Sequence, residues 1–182
     1  MKFIETEIRD IKIIQPDVYG DQRGFFLEYW HKEKFRQAGI DAEFVQDNHS
    51  ASCRNTLRGL HYQLVRPQGK LVRAIAGEVY DVAVDIRKSS PTFGQWVGEI
   101  ISADLKNMIW VPPGFAHGFL VTSEHAEIIY KCTDFYTPEH ERSILWNDPD
   151  LAISWPLIAD ELPLLSEKDI NGLPFKEAEY YP

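Results

Sequence analysis

Thr56-Leu57-Arg58-Gly59-Leu60-His61-Tyr62-Gln63-Leu64-Val65-Arg66 sets a cation, a glycine, an imidazole and an amide inside an otherwise apolar, β-prone run. On an extended chain successive side chains point to opposite faces, so Leu57, Gly59, His61 and Gln63 share one face and Arg58, Leu60, Tyr62 and Leu64 the other. Rigid strand backbone suits a proton-transfer group at His61. A lone strand histidine is more often a satisfied core or surface residue, so its role turns on what the rest of the chain brings to it.

Toward the C-terminus, Pro67-Gln-Gly marks a turn, Lys70 begins a strand over 71–76, and Gly77-Glu78 reads as the turn of a hairpin whose second arm is 79–86. In that arm Tyr80, Val82, Val84 and Ile86 form an apolar face, while Val79, Asp81, Ala83 and Asp85 put two carboxylates on the other. If that second face lines a cavity, Asp81 becomes a partner for a cation. Strands are expected at 96–103 and 107–111. The turn Pro112-Pro113-Gly114 then brings His117 into the next strand. Over 126–136, Ile128, Tyr130, Cys132 and Asp134 share a face, and an inward Tyr130 needs a partner for its phenol or is plain core. Short strands at 143–146 and 151–155 and a helical fragment ending Leu165-Ser-Glu-Lys-Asp follow. A polar tetrapeptide of that kind normally faces solvent.

Toward the N-terminus, Ile4, Ile8, Ile11 and Ile13 alternate loosely as one or two short strands stopped at Pro16. Gly20-Asp21 and Gly24 mark a turn carrying Arg23, leading into an aromatic strand over 25–30 that includes Glu28. Residues 31–38 are rich in helix formers and Gly39 is a natural stop. Gln46, Asp47, Asn48 and His49 read as a plain turn or as a strand facing a polar cavity, the turn being the simpler reading.

A chain of 182 residues is long enough for one domain with a sizeable core, and no linker or repeat divides it. Two cysteines, Cys53 and Cys132, are too few for a disulfide framework, and the N-terminus shows no apolar leader. No run is long enough to cross a bilayer, so a cytoplasmic protein without membrane attachment is expected. The net charge of −9 argues against nucleic acid as a partner, though a small anion can still be held by locally gathered cations. Ten or more short strands with a single short helix imply an all-β jelly roll, whose mouth is a natural small-molecule site. His61 and His117 fall where the histidines of the two cupin motifs fall. Metal-binding cupins carry His-x-His in the first motif. This chain has His61-Tyr62-Gln63, which leaves fewer than the usual three protein ligands, so no metal is expected and His61 is free to act as a base.

Six runs in order carry a resemblance: Asp21-Gln-Arg-Gly-Phe-Phe, Gln46-Asp-Asn-His-Ser, Leu57-Arg-Gly-Leu-His-Tyr-Gln, Val82-Ala-Val-Asp-Ile-Arg, Pro112-Pro-Gly-Phe-Ala-His-Gly-Phe and Ser166-Glu-Lys-Asp. Over about residues 11–169 the chain resembles the dTDP-4-dehydrorhamnose 3,5-epimerase family. The resemblance implies a metal-free, cofactor-free, homodimeric cupin jelly roll formed by residues 1–182 and acting on a dTDP-sugar. It further implies that His61 removes a proton, Asp169 supports the imidazole, Tyr130 returns a proton and Lys70 stabilises the enolate. For binding, it implies Arg23, Arg58 and Lys168 on the diphosphate, Glu28, Gln46, Asp47 and Asn48 on nucleotide or sugar, Tyr136 on thymine, and His117 and Glu141 completing the pocket. Residue chemistry by itself does not single out Glu28, Glu141 or Lys168.

Overall fold

In the computed structural model, which describes residues 1–159 and 161–182, Ile4 and Ile13 fall in two paired strands, β1 (Lys2–Glu5) and β2 (Lys12–Gln15), and Ile8 and Ile11 are buried in the link between them. A separate hairpin follows, β3 (Val18–Asp21) and β4 (Gly24–Leu27); the aromatic strand expected to reach Trp30 stops at Leu27. Helix α1 (Lys32–Gln37) starts at His31, whose side chain accepts from the Lys34 N–H. Its one fully buried residue, Phe35, packs with Leu71, Met108 and Trp110. Burying such a ring stabilises by about 2–3 kcal/mol, which fastens an otherwise polar helix to the sheet.

β5 (Gln46–Cys53) is a full strand, not the plain turn that was the simpler reading of its first residues. Gln46, Asn48, Ser50 and Ser52 are half-buried, while Asp47, His49, Ala51 and Cys53 are exposed. Its polar composition suits a strand whose inner face looks into a polar cavity. The chain continues through β6 (Leu57–Gln63), β7 (Lys70–Ala76), β8 (Glu78–Asp85), β9 (Trp96–Ser102), β10 (Met108–Val111), β11 (Phe115–Val121), β12 (His125–Cys132) and β13 (Glu141–Ser143). One sheet has the order β1-β2-β10-β7-β12-β5 and the other β13-β6-β11-β8-β9, all neighbours antiparallel. This is the all-β jelly roll that the pattern of strands implied, of the cupin type that the resemblance implied.

The hairpin expected at Gly77 does not form. β7 lies between β10 and β12 in one sheet, and β8 between β11 and β9 in the other. Gly77 takes φ +65°, and a Cβ there would meet the His125 carbonyl oxygen at 1.9 Å. The chain therefore turns a corner between sheets instead of folding back on itself. A second departure is 151–155, which forms no strand; Trp155 is held instead by its indole N–H, donating to the Trp146 carbonyl at 2.8 Å.

Between the sheets lies an apolar core that includes Ile11, Val72, Val79, Ala83, Ile109 and Ile128. The two faces of β8 sort as the alternation requires. Val82, Val84 and Ile86 pack outward under Leu151 and Ala178, so the face carrying Asp81 looks inward, and Asp81 is fully buried.

Asp85, also fully buried, accepts from Arg87 Nε at 2.8 Å and Nη2 at 2.7 Å, and from Ser90 Oγ and Thr92 Oγ1 at 2.6 Å each. Burial alone raises its pKa, but these donors outweigh that and hold it at about 2. An unfolded aspartate titrates near about 3.9, so this stabilisation is complete above that pH and is lost as pH falls toward the folded value. Asp85→Asn should therefore lower stability on the order of 3 kcal/mol, or about 6–12 °C in Tm. Its acid-induced loss of Tm below about pH 4 should be shallower than the parent's. Parallel melting curves from pH 7 to pH 3 check both; identical acid limbs would exclude Asp85 as a contributor.

Candidate active site

β6 is not a regular strand. Its pairing with β11 runs Leu57↔Leu120, Arg58↔Phe119, then shifts to His61↔His117. Gly59 and Leu60 together oppose one residue, Gly118. Two backbones meet there: a Cβ on Gly59 would lie 2.5 Å from the Gly118 Cα, and one on Gly118 would lie 2.7 Å from the Arg58 carbonyl oxygen. The irregularity resets the alternation. Arg58 and His61, expected on opposite faces, both line one cavity of about 380 Å³.

That cavity is the mouth of the barrel. Its wall holds Gln46, Asn48 and Ser50 of β5, Arg58 and His61 of β6, Lys70 and Val72 of β7, His117 and Phe119 of β11, and Ile128 and Tyr130 of β12. Tyr136, Glu141, Ser166, Lys168 and Asp169 close one side, with Gln68 at the rim. Strands from both sheets thus converge on it.

Asp169 arrives from far along the chain on α2 (Glu167–Ile170) and is nearly fully buried, against the expectation of a solvent-facing tetrapeptide. Ser166 caps this helix and binds Asp169 in return: the Ser166 hydroxyl donates to Asp169 Oδ2 at 2.6 Å and its backbone N–H at 3.0 Å. The Gly59 N–H donates to Oδ1 at 2.9 Å. His61 Nε2 lies 2.7 Å from the same oxygen. The contact is not in line with the ring N–H, so it is a charge contact and not a well-aligned hydrogen bond. Burial alone would raise the Asp169 pKa, but His61, Ser166 and Gly59 outweigh it and hold the carboxyl well below the usual range. A charged carboxylate thus lies against the Nε2 edge of the ring.

A second histidine–carboxylate pair lies beside the first. His117 Nε2 donates to Asp81 Oδ1 at 2.8 Å and Oδ2 at 3.0 Å, and both residues are buried. A carboxylate can only accept, so the proton sits on Nε2. Burial lowers the pKa of the Lys70 ammonium, partly offset by Cys132, Asp81 and Glu141. Burial also raises that of the Tyr130 phenol, which keeps it a proton donor at neutral pH. At the rim, Lys168 Nζ donates to Glu141 Oε2 at 2.7 Å and the Tyr136 hydroxyl donates to the same oxygen at 2.8 Å. Burial raises the Glu141 pKa, but these two donors together with the positive charge of Lys168 bring it below its ordinary value. Its hydrogen bond pushes Tyr136 up to about 12. Arg58 Nε and Nη2 donate to Ser52 Oγ at 3.1 and 3.0 Å.

Three residues implied for binding lie elsewhere in the chain's own fold. Arg23 is exposed on the β3–β4 hairpin and pairs with Asp21; Glu28 pairs with Lys34 at 2.7 Å. Asp47 pairs with Lys131 at 3.0 Å on the outer face of β5, away from the cavity. Conversely, the cavity uses groups the implied site did not include. Asp81 was foreshadowed by the two-carboxylate face of its strand; Ser166 was not, since the run Leu165-Ser-Glu-Lys-Asp was expected to end a helical fragment and instead starts α2, and the Ser-x-x-Asp spacing of a helix cap was the signal that could have found it. Gln63 shares His61's face by alternation, but its amide is committed to backbone groups and does not line the cavity. Among the described residues, no three His, Cys, Asp or Glu side chains converge as a metal site, and no helix is long and apolar enough to cross a membrane.

The family model for dTDP-4-dehydrorhamnose 3,5-epimerase matches residues 5–177. A dTDP-4-dehydrorhamnose 3,5-epimerase of Pseudomonas aeruginosa is 57% identical over 183 residues, covering 100% of both chains. The crystal structure of the Legionella pneumophila dTDP-6-deoxy-D-glucose-3,5-epimerase in complex with dTDP-4-keto-L-rhamnose superposes with a TM-score of 0.94 at 52% identity, covering 98% of this chain and 94% of that one. A 3'-monoepimerase from Streptomyces bikiniensis, in complex with dTDP-quinovose, superposes at 0.87 with 36% identity, covering 94% and 86%. The chain belongs to the dTDP-4-dehydrorhamnose 3,5-epimerase family.

Proposed function

We propose that this chain inverts C3 and C5 of dTDP-4-dehydro-6-deoxy-α-D-glucose to give dTDP-4-dehydro-β-L-rhamnose, a step of dTDP-L-rhamnose biosynthesis. The observation that carries the reading is the meeting of His61, Asp169, Tyr130 and Lys70 at one cavity in a protein of this family. A 4-keto group acidifies the hydrogens on both neighbouring carbons. His61 takes the proton from C3 or C5, and the C–H electron pair moves into the ring as the ketone oxygen becomes an enolate. Asp169 stabilises the imidazolium. The Lys70 ammonium faces the developing negative oxygen in a cavity where charge is poorly screened. Tyr130 delivers a proton to the opposite face of the carbon and recovers one from solvent, while His61 releases the proton it took to solvent. Every transfer is of a proton, so no redox cofactor is needed.

Arg58 and Lys168 are the cations for the diphosphate, which an acidic protein holds only by focusing positive charge. Gln46, Asn48, His117 and Glu141 bind nucleotide or sugar, and Tyr136 offers its face to thymine. Arg23, Glu28 and Asp47 reach a ligand only if subunits combine. The exposed aromatics of the β3–β4 hairpin support a homodimer: Tyr19, Phe25 and Phe26 are 66%, 59% and 69% exposed, which suits a surface that a second copy covers. A cytoplasmic location, with no nucleic acid or membrane as partner, fits a nucleotide-sugar substrate and the net charge of −9.

Turnover in D₂O followed by proton NMR tests the double inversion. Deuterium at both C3 and C5 of an inverted product is expected; label at C3 alone would make the chain a monoepimerase. Metal independence rests on Gln63, which stands where a second first-motif imidazole would be needed and whose amide is tied to the backbone. Chelator treatment should leave turnover unchanged, and activity lost to chelator and restored by a divalent cation would overturn this.

A further inference from the structure

We infer that Gln63 is a positioning residue for nucleotide binding, acting through Tyr136. The inference rests on the reading of Tyr136 as the surface for thymine. Gln63 is 4% exposed. Its Oε1 accepts from the Thr137 N–H at 2.7 Å, and its Nε2 donates to the carbonyls of Phe135 at 3.2 Å and Arg66 at 2.8 Å. One buried amide therefore grips the residue before Tyr136 and the residue after it. From the other side of the cavity, Gln46 Oε1 accepts from the Tyr136 N–H at 3.0 Å. Gln68 Nε2 donates to the Asp134 carbonyl at 2.8 Å.

Residues 133–137 follow the end of β12 and belong to no strand, so sheet partners do not satisfy their backbone groups. Three glutamine side chains, drawn from β5, β6 and the loop after β6, bind the Asp134 and Phe135 carbonyls and the Tyr136 and Thr137 N–H groups, while the Thr133 N–H donates to the Gly69 carbonyl, the Phe135 N–H to Asp134 Oδ1, and the Thr137 carbonyl accepts from the His140 N–H. The ring at stake has little packing to fix it: Tyr136 is 47% exposed, and among the described residues its hydroxyl bonds Glu141 alone. Its direction is therefore set by the backbone on either side. A ring already held in its binding direction loses less freedom when a base stacks on it, and affinity rises by that difference.

The test is calorimetric titration of dTDP into the parent, Gln63→Met, Tyr136→Ala and the double variant, with steady-state kinetics on each. Gln63→Met keeps the side chain's length and removes all three hydrogen bonds. It should weaken dTDP binding roughly tenfold, an estimate in line with the ordering cost of one long side chain, and raise KM with kcat little changed. Because Gln63 acts through the ring, the double variant should bind no more weakly than Tyr136→Ala alone. Additive losses in the double variant, parental affinity in Gln63→Met, or a fall in kcat without a change in affinity each overturn the assignment. Parental dTDP affinity in Tyr136→Ala overturns the reading of Tyr136 itself, and the inference with it. If Gln63→Met does not fold, Gln63→Glu serves, since it keeps the acceptor for Thr137 and loses both donors. Its affinity should recover as the pH falls and the carboxyl, once protonated, donates again; a pH-independent deficit overturns the assignment.

Discussion

Replacing His61 by alanine should stop solvent deuterium from entering C3 and C5 and lower kcat by about 10²–10⁴-fold, the range expected for loss of a positioned general base. Binding of dTDP should be nearly unchanged, because the proposed contacts to thymine and diphosphate come from Tyr136, Arg58 and Lys168. The fold should tolerate the change. His61 is only half-buried, and Asp169 keeps its bonds from Ser166 and Gly59, so no buried carboxylate is orphaned. Proton NMR of substrate held in D₂O with the variant, beside a dTDP titration, measures both quantities. Exchange at the parental rate would remove His61 from its role as the base. Loss of binding together with exchange would instead mark it as a ligand contact.

Tyr130→Phe should separate proton removal from inversion. The variant loses one hydroxyl and keeps the ring, which packs on the central core. His61 still takes a proton and exchanges it with solvent, so deuterium continues to enter the substrate. Without a donor on the far face, the deuteron returns to the side it left, and net inversion should fall by about a hundredfold or more. The expected result is labelled, uninverted substrate. Inverted product formed at the parental rate would mean that another group, or water, supplies the second proton. Tyr136 is no easy substitute, because its hydroxyl already donates to Glu141 at the rim, whereas burial keeps the Tyr130 phenol protonated in the cavity wall.

Local pattern carried much of this protein. The alternation in 79–86 separated Tyr80, Val82, Val84 and Ile86 from Asp81 and Asp85, because period-two order is a property of a single strand, but it left open which face looks inward. The cluster Arg58, Gly59, His61 and Gln63 marked the functional strand, and turn residues delimited most of the others. The missing His-x-His pair was legible as well, since ligand identity is a matter of residue type.

Which sheet each strand joins was decided only in three dimensions. Gly77 has the composition of a hairpin turn, yet packing against His125 makes it a corner, and β7 and β8 part company. Gln46 to His49 read more simply as a turn than as a strand facing a polar cavity because the strand's partner, β12, lies far along the chain. Arg58 joined His61 on one wall because two backbones meet at Gly59 and Gly118 and reset the register. Asp169 reached the imidazole through a helix whose position depends on the whole barrel being closed. Residue type and periodicity are written along the chain and determined the barrel and its chemically able side chains. Pairing between distant segments follows from packing alone, and it decided which of those side chains meet.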